Sequence, residues 1–286
     1  VLIFYCEGKD DIAQKIGEEF EKKEVECHLL RVGKKLNSGS KHFRALLEEL
    51  SGSWGLVFLL HPVHAPFLFE TVGRPDYGIK LSSEHFFCDW LIRPGSLIRT
   101  YGLDLDELHL FRQKLLSQLK NAKKIRISTN SGTDITLSPR YWNINDGEVF
   151  TAPVENSTNG IILVDGCAYG GPPREPFSLK IRNGEVVNLT ELNENDKQQN
   201  YVLKDLNRDE NARVLAELGI GINPGASQDA DIIESEQARG TCHFGFGHNI
   251  GFGGQNNSSS HIDYVILDLS IEIDGKLICR AGDYLF

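Results

Sequence analysis

The feature that most constrains this chain is a change of hydrophobic rhythm near residue 124. Before it, apolar runs of strand length (VLIFYC, VECHLLRV, WGLVFLLHPV) alternate with segments whose apolar residues fall at helical spacing. These are DIAQKIGEEFEKK, FRALLEEL and LDELHLFRQKLLSQLKNAK. Strands alternating with helices predict a parallel sheet with helices on its faces. After residue 124 the period is two. KIRISTNSGTDITLS reads as a hairpin around a Ser-Gly turn, and NGIILVDG, FSLKIRNGEVVNL and YVILDLSIEIDGKLI follow with Asn-Gly and Asp-Gly turns. RDENARVLAELG reads as the one clear helix of this half. The expected fold is an α/β N-terminal domain with a parallel sheet (residues 1–123), then a β-rich α+β C-terminal domain (residues 124–286). A length of 286 residues is consistent with two domains.

Composition narrows the function classes. The formal net charge of −10 argues against a nucleic-acid partner, which requires a surplus of Lys and Arg on one face. No apolar run reaches the roughly 18 to 20 residues of a membrane span, and the opening does not follow a signal-peptide pattern. The six cysteines are scattered and contain no CxxC pair, which suits reduced thiols and a cytoplasmic location. There is neither GxGxxG after the first strand nor GxxxxGK[ST] anywhere, so a nucleotide site is not expected.

The chemistry gathers in the second half. GTCHFGFGHNIGFGGQNNSSSHID, residues 240–263, holds three histidines and an aspartate among six glycines and three serines. His261 and Asp263 stand two apart where a strand begins, so both reach the same side. His243 lies in a half-buried strand pattern and needs a hydrogen-bond partner or a metal. His248 follows as a ligand, a substrate contact or a loop residue. Glu148 in NDGEVFTAP and Glu217 in LAELGIGINP are carboxylates set among apolar residues, where charges are found paired or metal-bound. For Glu217 the polar end of the preceding helix is the plainer alternative. Glu234 and Glu236, in IIESEQARGT, are general-base candidates. Three carboxylates and two histidines are the inventory of a paired divalent-metal site, and mixed O/N ligands suit Zn, Co or Mn.

In the order GTDITL, NDGEVFTAP, AELGIGINP, GTCHFGFG and GGQNNSSSHID, the chain resembles the leucyl aminopeptidase (aminopeptidase T) family, the thermophilic M29-type metallopeptidases. The resemblance runs through residues 125–286. It implies a metal-dependent aminopeptidase acting on peptides through two divalent ions held by Glu148, Glu217, His243, His261 and Asp263. Glu236 occupies the acidic slot upstream of GTCH and becomes the general base. The family carries a tyrosine shortly after the GTxH histidine. This chain has HFGFGHNIGFGG there, leaving His248 as the candidate electrophile. Homodimerisation is likewise implied by the resemblance. The chain also resembles the dihydroxypyridine ring-cleaving dioxygenases, a related branch using one Fe(II). That branch lacks an acid at Glu148 and has a histidine at Glu217, so the ligand set favours the hydrolase. A catalytically silent relative, retaining the fold as a binding module, is the third alternative. The glycines are expected to bring backbone close to metals and substrate, and the Asn and Ser between them to bond the substrate.

Overall fold

The computed structural model describes residues 1–5, 7–31, 57–60, 86–88, 99–100, 102–144, 147–168 and 171–286. FRALLEEL, read as a helix, lies outside them. The chain divides into two compact units, Val1–Pro94 and Gly95–Phe286.

In the first unit, β1 (Leu2–Tyr5) pairs in parallel with β2 (His28–Arg31) and with β3 (Val57–Leu60), and β3 pairs in parallel with β4 (Phe86–Cys88). Helix α1 (Asp10–Glu21) lies between β1 and β2 in sequence and buries Ala13 and Gly17. The methyl of a Gly17→Ala variant would meet the Leu29 side chain at 3.4 Å, an ordinary contact.

The second unit is sheet-rich. Helix α2 (Leu105–Leu119) starts at Asp104, whose carboxylate accepts the amide N–H groups of Asp106 and Glu107. The sequence pattern placed this helix in the N-terminal domain. In the structure its Leu108, Leu115 and Leu119 are buried in the same core as the strands that follow. Eight antiparallel strands form one sheet, in the order β11-β10-β9-β6-β5-β15-β16-β17. They are β5 (Ile125–Ser128), β6 (Asp134–Leu137), β9 (Asn159–Val164), β10 (Phe177–Arg182), β11 (Glu185–Val186), β15 (Ser270–Ile273), β16 (Lys276–Arg280) and β17 (Asp283–Tyr284). The hairpin expected around Ser131–Gly132 is present as β5 and β6, with Ile125 opposite Leu137. The Asn183–Gly184 and Asp274–Gly275 turns take positive φ at both residues, as tight two-residue hairpin turns require.

A second antiparallel sheet runs β14-β13-β12-β8-β7. Its strands are β7 (Asn143–Ile144), β8 (Glu148–Thr151), β12 (Leu215–Gly221), β13 (Cys242–Gly247) and β14 (His261–Ile266). One apolar cluster draws on both sheets, from Ile127, Ile135 and Leu179 on the first to Leu218, Phe244 and Tyr264 on the second.

The helix expected over RDENARVLAELG is not formed. Glu210–Arg213 makes a single 3-10 turn capped by Asp209, and Leu215–Gly221 is the central strand β12, buried at every residue. Ala212, Leu215, Leu218 and Ile222 imitate a helical stripe, but a strand covered on both faces is apolar throughout and hides its period of two. The helices that do form here are α3 (Lys197–Leu206), capped by Asp196, and the short α4 (Ile232–Ser235), capped by Asp231.

Candidate metal centre

The two faces of the five-stranded sheet have opposite chemistry. Register pairs Leu218 with Phe244 and Phe244 with Tyr264, and Ile220 with Cys242 and Cys242 with Ile266. Those residues face the core. The alternate set runs Gly219 beside His243, Glu217 beside Gly245 beside Asp263, Gly221 beside Glu148, and Gly247 beside His261. Each chemically active side chain therefore has a glycine as its cross-strand neighbour. A Cβ at Gly219 would lie 1.9 Å from Cε1 and 2.2 Å from Nε2 of His243, and one at Gly245 would lie 2.7 Å from Asp263 Oδ1. The glycines clear space for the imidazoles and carboxylates to lie flat over the sheet. They sit in strands, and their role is side-chain room beside the site.

Glu217 occupies the middle of the cluster. Its Oε1 is 3.4 Å from His243 Nε2 and its Oε2 is 3.2 Å from His261 Nε2. Glu148 Oε2 lies 3.3 Å from His243 Nε2, and Asp263 Oδ1 lies 3.4 Å from His261 Nε2. Two groups able to hold a cation result, Glu148–Glu217–His243 and Glu217–His261–Asp263, with the ligand atoms of each within 4.8 Å of one another. They share Glu217, one oxygen to each side. The first group is buried at every member, whereas His261 and Asp263 are partly exposed.

The donor set fits cations. His261 Nδ1 lies 2.7 Å from the His248 carbonyl oxygen, which can only accept, so Nδ1 carries the proton and Nε2 turns toward the carboxylates. Asp263 Oδ1, although buried, has no hydrogen-bond partner among the described residues, and neither has His243 Nδ1. Converging carboxylates around Nε2 atoms need either protons or metal ions between them.

The metal-free cluster has matching acid–base properties. Burial pushes the His243 imidazole down, but Glu148, Glu217, Asp263 and Glu236 more than offset this and hold it well above its ordinary value. His261 is likewise raised by Asp263 and Glu217 against burial. Burial raises Glu217, yet its contacts with His243 and His261 bring it below the ordinary carboxylate range, and Asp263 follows through His261. Glu236 is pushed well up by burial and by repulsion from Glu148. The raised groups give stability that is complete at low pH and lost as pH rises through their folded values. The lowered groups give stability present above the carboxylate range and lost as pH falls through theirs. Chelator-treated protein is expected to lose melting temperature toward alkaline pH, and added Zn to restore it. A melting temperature flat from pH 7 to 10 in chelator would contradict this.

Glu236 reaches the cluster because the chain crosses directly over β12. Gly221 lies so close to Ala238 that a Cβ there would be 2.2 Å from its carbonyl oxygen, and Asn223 N–H donates to Gln237 O at 2.9 Å. Glu234, the other base candidate, is occupied otherwise. Arg99 grips both its oxygens at 2.7 Å, and Ser227 N–H donates to it at 3.0 Å.

A family model described as thermophilic metalloprotease (M29) matches residues 112–278, more than half of the 286-residue chain. The chain belongs to that family. No protein of curated function matches it. Among solved structures it is similar to 2,5-dihydroxypyridine dioxygenase from Pseudomonas putida KT2440, with TM-score 0.74 and 16% identity over 99% of this chain and 91% of that one. At that identity the likeness shows the fold alone.

In this metalloprotease chain one expectation is redrawn. The Asn and Ser residues of the glycine-rich segment are used within the protein. Asn249 Nδ2 donates to Ala216 O at 3.2 Å, and Asn256 Nδ2 to Gly247 O at 2.6 Å and Asn211 O at 2.8 Å. Ser258 and Ser259 donate to Asp209. His248 is buried just beyond β13, and its carbonyl oxygen accepts from His261 Nδ1 at 2.7 Å. Sequence reading also missed Phe252, whose ring stands edge-on to both Phe150 and His261 at centroid distances of 5.7 Å and 5.5 Å. Among the described residues no helix is long and apolar enough to cross a membrane, and Cys27, Cys167, Cys242 and Cys279 are free thiols.

Proposed function

We propose that the protein is a metal-dependent aminopeptidase that removes N-terminal residues from peptides with two divalent ions, Zn, Co or Mn. The observation that carries this reading is the central Glu217, one oxygen turned to each imidazole. His243 and Glu148 would hold one ion with it, and His261 and Asp263 the other. When bound, the ions supply Lewis acidity to the peptide carbonyl and make the attacking water more acidic.

Glu236 stands beside Glu148 without belonging to either ligand group. It accepts the proton of the attacking water and passes it to the amine nitrogen as the C–N bond breaks. Glu236→Gln is expected to retain both ions while losing at least about a hundredfold in kcat. Retention of kcat would remove Glu236 from this role.

The reading is tested with free and N-acetylated forms of one short peptide. Cleavage of the free peptide alone, abolished by chelator and restored by Zn, Co or Mn, is the expected result. Equal cleavage of both would make it an endopeptidase. A second reading, a single-iron ring-cleaving dioxygenase, is supported by the whole-chain fold likeness. It requires one iron and O₂ consumption with a dihydroxypyridine.

A further inference from the structure

The two halves of the centre are built differently. Glu148, Glu217 and His243 stand on β8, β12 and β13, strands hydrogen-bonded to one another and buried. His261 is the first residue of the outer strand β14 and is preceded by a serine run, where strand pairing does not fix the backbone. Something else must hold its approach.

Asp209 does so. This carboxylate belongs to the 3-10 turn before β12, some fifty residues away in sequence, and it also caps that turn through Asn211 N–H at 3.0 Å. Its oxygens accept from Ser258 Oγ at 2.9 and 3.0 Å, from Ser259 N–H at 2.7 Å and from Ser259 Oγ at 2.6 Å. Ser258 Oγ in turn accepts Ser260 N–H at 3.1 Å, and Ser260 O accepts His248 N–H at 2.7 Å. The His248 carbonyl then takes the Nδ1 proton of His261 at 2.7 Å. Asn211 Nδ2 and Asn256 Nδ2 fasten the same two segments at 2.8 Å each, Asn211 to Asn257 O and Asn256 to Asn211 O. Asp209 therefore reaches both ends of the geometry that aims His261 Nε2, without touching the ligand cluster itself.

We propose that Asp209 is a positioning residue for one half of the centre: it fixes the Ser258–Ser260 approach so that His261 holds the more exposed of the two ions. The inference rests on the dinuclear reading above. The hydrogen bond from the Ser259 hydroxyl outweighs burial, which acts the other way, and with Ser259 N–H, Ser258 and Asn211 it keeps Asp209 at about 2, so the clamp is charged near neutral pH. Carboxylates and carbonyls that orient a metal-bound imidazole typically affect metal affinity by roughly ten- to a hundredfold. The effect should be confined to the His261–Asp263 ion, because the described hydrogen bonds of Asp209 run to Asn211, Ser258 and Ser259 and so toward His261.

The test is a Co(II) titration of chelator-treated protein followed by calorimetry and by the visible absorption of bound cobalt. Wild type is expected to take up two ions. Asp209→Asn should keep one ion at wild-type affinity and bind the second roughly ten- to a hundredfold more weakly. Ser259→Ala, which removes a single hydroxyl from an exposed residue, should shift the same ion by a smaller factor and serves where Asp209→Asn folds poorly. Two ions of unchanged affinity in both variants, or equal weakening of both ions, would overturn the role of Asp209. Fewer than two ions in wild type would overturn the dinuclear reading itself and the inference with it.

Discussion

Replacing Glu217 by alanine is expected to strip both ions from the protein and to cut peptide hydrolysis by at least about a thousandfold, ~4 kcal/mol of transition-state stabilisation. The size follows from its position. Glu148 and His243 serve one side only, as do His261 and Asp263, whereas Glu217 presents an oxygen to each imidazole. Its loss leaves each ion two protein ligands. The metal-free variant is expected to fold with a lowered melting temperature, because His243 and His261 hold Glu217 below the ordinary carboxylate range and its loss removes that contribution. Glu148→Ala is expected to remove the buried ion and leave the other. Metal content and circular dichroism measured on the same samples check both. Two retained ions in Glu217→Ala would show that Glu217 is not shared.

The second large effect comes from a residue with no side chain. Gly219→Ala places a methyl 1.9 Å from Cε1 of His243, whose Nε2 is already fixed between Glu148 and Glu217. The ring cannot yield toward those oxygens without losing its ligand position, so the imidazole must leave the cluster. Overpacking of this kind costs about 1–3 kcal/mol of stability, and a displacement near 1 Å at a reacting centre costs roughly a hundredfold in rate. Gly219→Ala is therefore expected to lower melting temperature, metal affinity at the His243 side and turnover together. Gly17→Ala in α1 supplies the contrast. There a methyl meets Leu29 at 3.4 Å and Cys27 Sγ at 3.7 Å, ordinary contacts in a helix interior, so stability should hold or rise by up to about 1 kcal/mol. Full metal loading in Gly219→Ala would contradict the claim that the glycines exist to make room.

Much of this centre could be read from the sequence. His261 and Asp263, two apart at a strand start, do face the same cluster, and Glu148 and His243 sit in the strands their apolar flanks suggested. Hairpins marked by Ser-Gly, Asn-Gly and Asp-Gly turns were equally legible, since positive φ restricts the residues allowed there. Glu217 was found by its chemistry and misplaced by its periodicity. A strand buried on both faces shows no alternation of polarity, and the stripe from Ala212 to Ile222 mimics a helix. The alternation that did survive is one of size: Gly219 and Gly221 alternate with Leu218 and Ile220, and Gly245 and Gly247 with Phe244 and Phe246. Read that way, LGIG and FGFG announce adjacent strands with a crowded core face and a cleared site face. Asp209 was invisible, because nothing local in RDENAR says its carboxylate will close on serines some fifty residues on. Long-range clamps of that kind are properties of the tertiary fold.

The most direct measurement is anomalous diffraction from crystals soaked in Zn. Two peaks are expected on the site face of the five-stranded sheet, one beside Glu148 and His243, the other beside His261 and Asp263, with Glu217 between them. A single peak, or two peaks with Glu217 bound to only one, would contradict the shared-carboxylate centre.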